Sequence, residues 1–278
     1  MEIQIISILL GSFAGAVLAL TGAGGAIIAV PLLIFGLHLS MAEAAPIALL
    51  AVCLSAASGA LFAFMHGKVR YRAAGFIAVT GAVAAPFGIW LAQKVPNAPL
   101  TLLFAAILMY VAWDMFRHST RNEKAAMASG SRPFVAPCLL EAPGGRLVWT
   151  WPCVRVLALS GFSAGFLSGL LGVGGGFVIV PALKKVTNLQ MQSIVATSLA
   201  VVALISATGV AFAVLIGGLN GSIALPFTGG AMAGMLLGRL FANRFAGPKL
   251  QQYFAVLALC VSIGMVAKVV TVFIALQN

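Results

Sequence analysis

The stretch Gly172-Val173-Gly174-Gly175-Gly176-Phe177-Val178-Ile179-Val180-Pro181 decides how this sequence is read, because it breaks a long apolar run with clustered glycines and then a proline. A second copy stands 150 residues earlier, as Gly22-Ala23-Gly24-Gly25 followed by Val30-Pro31. Sliding the chain by 150 residues aligns 11–63 with 161–213 without a gap and gives 19 identities in 53 positions. The register persists through Gly67 and Gly217, Gly88 and Gly238, Leu100 and Leu250, and Phe104 and Phe254. An internal repeat of this kind is a signature of transporter folds.

Composition sets the surroundings of the repeat. Of 278 residues, 62% are apolar and 8% charged, with a mean hydropathy of +1.12, which leaves too little polar surface to cover a water-soluble globule. The chain reads as an all-α polytopic membrane protein in a lipid bilayer. Apolar runs cover approximately 3–37, 44–65, 73–92, 100–116, 156–183, 189–216, 223–242 and 250–275, and six of them have the length of one membrane crossing. The first and fifth are those interrupted by glycine. Cut there, they are expected to leave pieces mostly too short to span.

The net charge of +11 would suggest a polyanion partner in a soluble protein. Here it matches the excess of Lys and Arg in cytoplasmic loops, and no basic run alternates with aromatics, so nucleic acid is not expected as a partner. The polar stretch 117–155, with Arg117, Arg121, Lys124, Arg132, Arg146 and Arg155, divides a first transmembrane repeat (1–116) from a second (156–278) and reads as a cytoplasmic linker. Lys68, Arg70 and Arg72 mark a loop on the same side, whereas the 217–222 loop has no charge and Lys184, Lys185, Arg239, Arg244 and Lys249 sit at the opposite segment ends. The second repeat is therefore expected to be inverted against the first, with both termini outward. Each repeat would hold one glycine-broken segment, re-entrant or discontinuous, plus three transmembrane helices. Because no Lys or Arg precedes Ile3, the first apolar stretch is expected to belong to the mature protein.

Several chemistries are excluded. There is no P-loop, and the glycine cluster at 172–176 lacks the downstream acidic residue of a dinucleotide site. Cys53, Cys138, Cys153 and Cys260 form no C-x-x-C pair and indicate neither a zinc site nor a disulfide framework, and His38, His66 and His118 have no second ligand at helical spacing. No metal, cofactor or catalytic group is expected, and the chain does not read as an enzyme.

Non-helical backbone at membrane depth is tolerated only where protein or a polar cavity surrounds it. Two breaks at equivalent positions therefore mark a cavity near the midplane, with the free N–H groups of the next helical pieces pointing into it, an arrangement suited to an anion. The binding residues expected are Gly22, Gly24, Gly25, Gly172, Gly174, Gly175 and Gly176 through their backbone, with Thr21, Thr197 and Ser198 as hydroxyl donors. Gly11, Gly15, Gly161 and Gly165 read instead as close-packing positions, and Cys53, Ser55, Ser58, Ser206 and Thr208 as packing residues. No Asp or Glu falls within an apolar segment, so a coupling ion, H+ or Na+, would rely on carbonyls and hydroxyls.

These elements resemble the TauE/SafE family of sulfite and organosulfonate transporters, also called the toluene-sulfonate uptake permease family. The resemblance rests on Gly22-Ala23-Gly24-Gly25 with Val30-Pro31-Leu32-Leu33, its copy ending in Val180-Pro181-Ala182-Leu183, Ala196-Thr197-Ser198-Leu199, Gly67-Lys68-Val69-Arg70-Tyr71-Arg72 and Gly238-Arg239-Leu240. It implies a multi-pass protein of the bacterial inner membrane that moves a small anion, a sulfonate or sulfite, by import or export. The first repeat carries Ile47-Ala48 where the second has Thr197-Ser198, so the second is expected to supply most polar side chains. The reading is a secondary transporter working by alternating access, with a small-anion channel or facilitative uniporter as the alternative and a homodimer left open.

Overall fold

The computed structural model describes residues 2–22, 24–66, 70–127, 150–187, 191–215, 221–245 and 248–275. Among them the elements are α1 (Glu2–Thr21), α2 (Gly24–Gly36), α3 (Met41–Met65), α4 (Tyr71–Lys94), α5 (Asn97–Met127), α6 (Trp151–Leu171), α7 (Gly176–Val186), α8 (Met191–Leu215), α9 (Gly221–Phe245) and α10 (Pro248–Ala275). Shifted by 150 residues, α1–α5 fall on α6–α10, and α3 and α8 coincide to the residue. Counted over the described residues, seven helices, α1, α3, α4, α5, α6, α8 and α9, are long and apolar enough to cross a membrane. Ala23, the loops 67–69 and 217–220, and 128–149 of the linker, with Cys138, Arg132 and Arg146, lie outside the described residues.

The glycine breaks do not leave two short pieces each. The first piece is a full crossing of 20 residues in α1 and 21 in α6, and only the second piece, 13 residues in α2 and 11 in α7, is too short to span. The turn is made by matched C-cap glycines: Gly22 at φ +74 donates its N–H to the Leu18 carbonyl at 2.8 Å, and Gly172 at φ +75 donates to Ser168 at 2.9 Å. Left-handed backbone there is open to glycine without the Cβ clash that other residues meet. Past the turn, α2 doubles back along α1, since a Cβ on Gly25 would strike Leu18 and one on Gly36 would strike Leu10.

Packing between the repeats is backbone against backbone. A Cβ on Gly11 or Gly15 of α1 would collide with the carbonyl oxygen of Phe227 or Ala231 in α9, and one on Gly230 or Gly234 with that of Ile8 or Ser12. Both numbers rise together, so α1 and α9 run parallel. The same holds for α4 and α6, where Gly161, Gly165 and Gly169 meet Ile77, Gly81 and Ala85. In lipid, with no hydrophobic effect between helices, this close approach is what dispersion and interhelical contacts need. By contrast α3 and α8 run in opposite directions, because Leu49 meets Gly209, the Cys53 Sγ reaches the Ala203 carbonyl at 3.5 Å, and Gly59 lies against Leu199. Cys53 and Ala203 are equivalent positions of the two repeats. The 150-residue offset likewise relates α1 to α6 and α4 to α9.

The outer surface is apolar, with Leu9, Phe13, Leu61, Phe87, Leu159, Leu225 and Leu240 exposed as lipid-facing side chains are. Trp90 under Lys94 and Trp151 under Arg155, with the cation 3.9 and 5.0 Å from the ring centre, stand at helix ends as interfacial anchors. Ser40 and Glu43 form a capping box at the start of α3, the Glu43 carboxylate accepting from the Ser40 N–H at 3.0 Å. One expectation is corrected: Cys153 in the first turn of α6 is disulfide-bonded. Sequence spacing without a motif carries no information on such a pair, since connectivity depends on which chain ends the fold brings together.

Candidate functional site

The turn glycines Gly22 and Gly172 pack near the starts of α8 and α3, and the residues just after them reach the middle of α3 and α8. Gly25, in the first turn of α2, lines a small void with Gly15, Leu18, Val52, Ser55 and Phe227. Gly174, at φ +68, abuts Val52 of α3 and Val202 and Ser206 of α8, all within a turn of the Cys53–Ala203 contact. A second small void is shared by Ile27 of α2 with Val173 and Phe177, the latter in the first turn of α7, and is closed by Phe104, Ile107 and Leu108 of α5. Ile27 and Phe177 are repeat-equivalent, so the first turns of the two half-helices converge on one place. The first N–H groups of each helix have no intrahelical acceptor, and the dipole end there is positive. Helix α7 starts after Gly175 at φ +66, whose carbonyl accepts from the Val178 N–H at 3.1 Å, so its first turn is tight.

The hydroxyls expected to complete the site are differently engaged. Thr21 Oγ1 donates to Val17 of its own helix at 2.8 Å. Thr197, fully buried, donates to the Ser193 carbonyl at 2.7 Å and accepts the Arg70 N–H at 3.2 Å, which ties the start of α4 to α8. Ser198 donates to Val195 at 2.9 Å and lies 3.5 Å from the Gly22 carbonyl. These bonds to the preceding turn are the ordinary state of a transmembrane Ser or Thr. The structure thus brings Ser198 to the first break and leaves Thr197 a strut between helices. Gly172 is equivalently placed at the second break, against Ala45 of α3, the repeat mate of Val195 that packs on Gly22.

Other polar groups carry no signal in the sequence. Ser55 and Ser206 are buried on α3 and α8, and their hydroxyls have no hydrogen-bond partner. The 150-residue offset pairs them with Ile205 and Ala56, so the repeat gives no reason to single them out. Arg239 of α9 donates to the Gly59 carbonyl of α3 and stacks over Phe62, its Cζ 4.8 Å from the ring centre. Gly59 lies well before the end of α3, so its carbonyl keeps its own helical partner and the helix does not depend on the arginine. Lys268 of α10 donates to Ile34 at 3.2 Å, in the last turn of α2 where carbonyls lack helical partners. The absence of basic residues from that turn leaves Lys268 as a cap supplied from another helix.

The chain is similar over its length to membrane transporters. A probable membrane transporter protein of Xylella fastidiosa strain Temecula1 is 28% identical over 278 residues, covering 96% of this chain and 97% of the relative. The probable membrane transporter protein YunE of Bacillus subtilis is 24% identical over 241 residues, covering 84% and 86%. No solved structure matches. The sequence profile described as sulfite exporter TauE/SafE matches residues 7–265. With a match of that extent on a chain whose described residues hold seven helices long and apolar enough to cross a membrane, the chain is a multi-pass membrane transporter, not an enzyme, and belongs to the sulfite exporter TauE/SafE family.

Proposed function

We propose that this protein is a secondary transporter of small oxyanions, of the sulfite and organosulfonate class named by its family, in the bacterial inner membrane. The anion binds at the midplane between the first turns of α2 and α7. The observation that carries this reading is the convergence of Ile27 and Phe177, equivalent residues in the first turns of two half-helices, on one void closed by α5. Two positive helix ends facing one place favour negative charge, and glycines at 24, 25 and 174–176 let backbone N–H groups approach several oxygens of one head group.

The two repeats, 1–116 and 156–278, are of opposite orientation. Support comes from the antiparallel run of α3 against α8 across their own equivalent positions, the arrangement expected of repeats related by an axis in the membrane plane. Transport proceeds by alternating access. Direct contact of α3 with α8 at the crossing favours a carrier over an open channel. Arg239 supplies positive charge on the side of the first break, where the basic linker is placed in the cytoplasm. Export of a monoanion from a negative-inside cell gains about 2.3 kcal/mol per 100 mV, so it proceeds without a coupling ion.

The test is flux in proteoliposomes. Sulfite or an organosulfonate should show saturable uptake and accelerated exchange against internal anion, and substituting Gly25 and Gly175 together should abolish it. Unsaturable flux without exchange would indicate a channel. Saturable flux that survives the double substitution would refute this site.

A further inference from the structure

Four buried hydroxyls lack a partner among the described residues: those of Ser55, Ser168, Ser206 and Thr228. Two of them, Ser55 and Ser206, lie on the crossing helices within one turn of Cys53 and Ala203, and each stands beside a different break. Ser55, 1% exposed, opens into the void that Gly25 lines at the start of α2. Ser206, fully buried, has its Oγ 2.9 Å from where a Cβ on Gly174 would stand. Val52 separates the two, lining the void of Ser55 on one side and touching Gly174 on the other.

A transmembrane serine normally donates to a carbonyl one turn back, as Ser7, Ser58 and Ser163 do here. Ser55 and Ser206 do not, and an unmade bond in a buried, low-dielectric setting destabilises the protein. A group kept in that state beside a positive helix end is poised for a ligand that arrives there. We infer that Ser55 and Ser206 are the side-chain donors of the anion site, and that they, rather than Thr197 and Ser198, contribute the hydroxyls to the bound oxyanion. The inference rests on the proposed anion reading and deepens it. Each hydroxyl donates to one oxygen of the head group, alongside the N–H groups of the α2 turn at Gly25 and the α7 turn after Gly174. A ligand meeting both must carry two or more acceptor oxygens on one centre, as sulfite and sulfonates do, and must displace Val52 from between the breaks. A cation would also accept hydroxyl ligands, but two helix N-termini oppose it.

The test uses purified full-length protein, with sulfite, sulfoacetate and sodium ion titrated separately while thermal stabilisation is measured, and flux in proteoliposomes for the same variants. Ser55→Ala and Ser206→Ala should each weaken anion binding about tenfold, and the double variant more, while the ligand-free melting temperature stays at or above that of the wild type. That combination is not expected of a structural serine, whose loss lowers the ligand-free melting temperature. Thr197→Val should leave anion affinity within about twofold of the wild type. Ser55→Cys, which keeps the size and a weak donor, should fall between. If wild type binds and transports the anions and both alanine variants bind them equally well, this inference is overturned and the anion reading stands. If sodium rather than either anion stabilises the wild type, and the serine variants lose that effect, the residues form a cation site and the inference is overturned. If the wild type neither binds nor moves any of the anions, the anion reading fails and this inference with it.

Discussion

Replacing Gly175 by alanine tests whether the second break is held by backbone geometry. Gly175 is the N-cap of α7 at φ +66, and a Cβ there would meet the Ala164 carbonyl oxygen, with its carbon at 2.9 Å and its Cβ at 3.0 Å. Left-handed backbone costs an L-residue about 1–2 kcal/mol. Pressing a methyl group onto a backbone carbonyl that cannot rotate away costs about 1–3 kcal/mol more. The sum, roughly 2–5 kcal/mol, is a large part of a typical total stability. At about 2–4 °C per kcal/mol for a chain of this size, the melting temperature in detergent should drop about 4–20 °C. The control is Gly229→Ala, exposed on α9 with nothing within 4 Å of the added methyl. Alanine should gain roughly 0.5–1 kcal/mol of helix stability there. A Gly175→Ala protein melting within a degree of wild type, or a Gly229→Ala protein falling as far, would refute the reasoning.

Further outcomes are expected on the same physical grounds. Ser40→Ala removes the capping box of α3 and should lower stability by about 1 kcal/mol, read from denaturant midpoints. Arg239→Gln should leave the fold intact, because the Gly59 carbonyl retains its helical partner, while raising the half-saturating anion concentration severalfold in flux assays; unchanged saturation would assign Arg239 a packing role. Lys268→Met should loosen the last turn of α2 by about 0.3–1 kcal/mol, visible as faster amide exchange over residues 32–36. Accessibility tags on both termini should report one side of the membrane, and a tag in the 117–155 linker the other; termini on opposite sides would refute the inverted arrangement. The same experiment decides the absolute orientation, for which the basic linker predicts a cytoplasmic side.

The membrane class, the helix set and the place of the breaks can be read from sequence because each rests on local chemistry or on the repeat. Gly22 and Gly172 declare their turns, and Gly11, Gly15, Gly161 and Gly165 their contacts, through spacing alone. The length of the first pieces is not legible, because apolar runs do not show which glycine ends a helix: α6 continues through Gly161, Gly165 and Gly169 and stops only at Gly172. Hydroxyl roles are less legible still. Thr197 and Ser198 stand out as an adjacent polar pair, yet which carbonyl a hydroxyl meets depends on rotamer and on the helix opposite. Ser55 and Ser206 carry no motif, and their interest arises only from what α2, α7 and the crossing helices leave unpaired. Lys268 is hidden for a similar reason, since its partner Ile34 is 234 positions away in the chain.

The packing also constrains how such a molecule moves. The closest interfaces, α1 with α9 and α4 with α6, each join one repeat to the other by contacts in which glycine lets backbones touch. Sliding either pair would drive carbonyls into Cα atoms, so each pair behaves as a rigid unit. Neither repeat can then rock as a body against its partner, because each contributes a helix to both units. On the proposed reading the freedom left is rotation of one mixed pair against the other about the α3–α8 crossing, where Leu49 packs on Gly209 and Leu199 on Gly59 through side chains that can change rotamer. Helices α2 and α7 hang from α1 and α6 by single glycine turns and reach that crossing with their first turns. On the alternating-access reading proposed above, such a rotation changes the spacing between the two helix N-termini and so couples a bound anion to the side on which the protein opens.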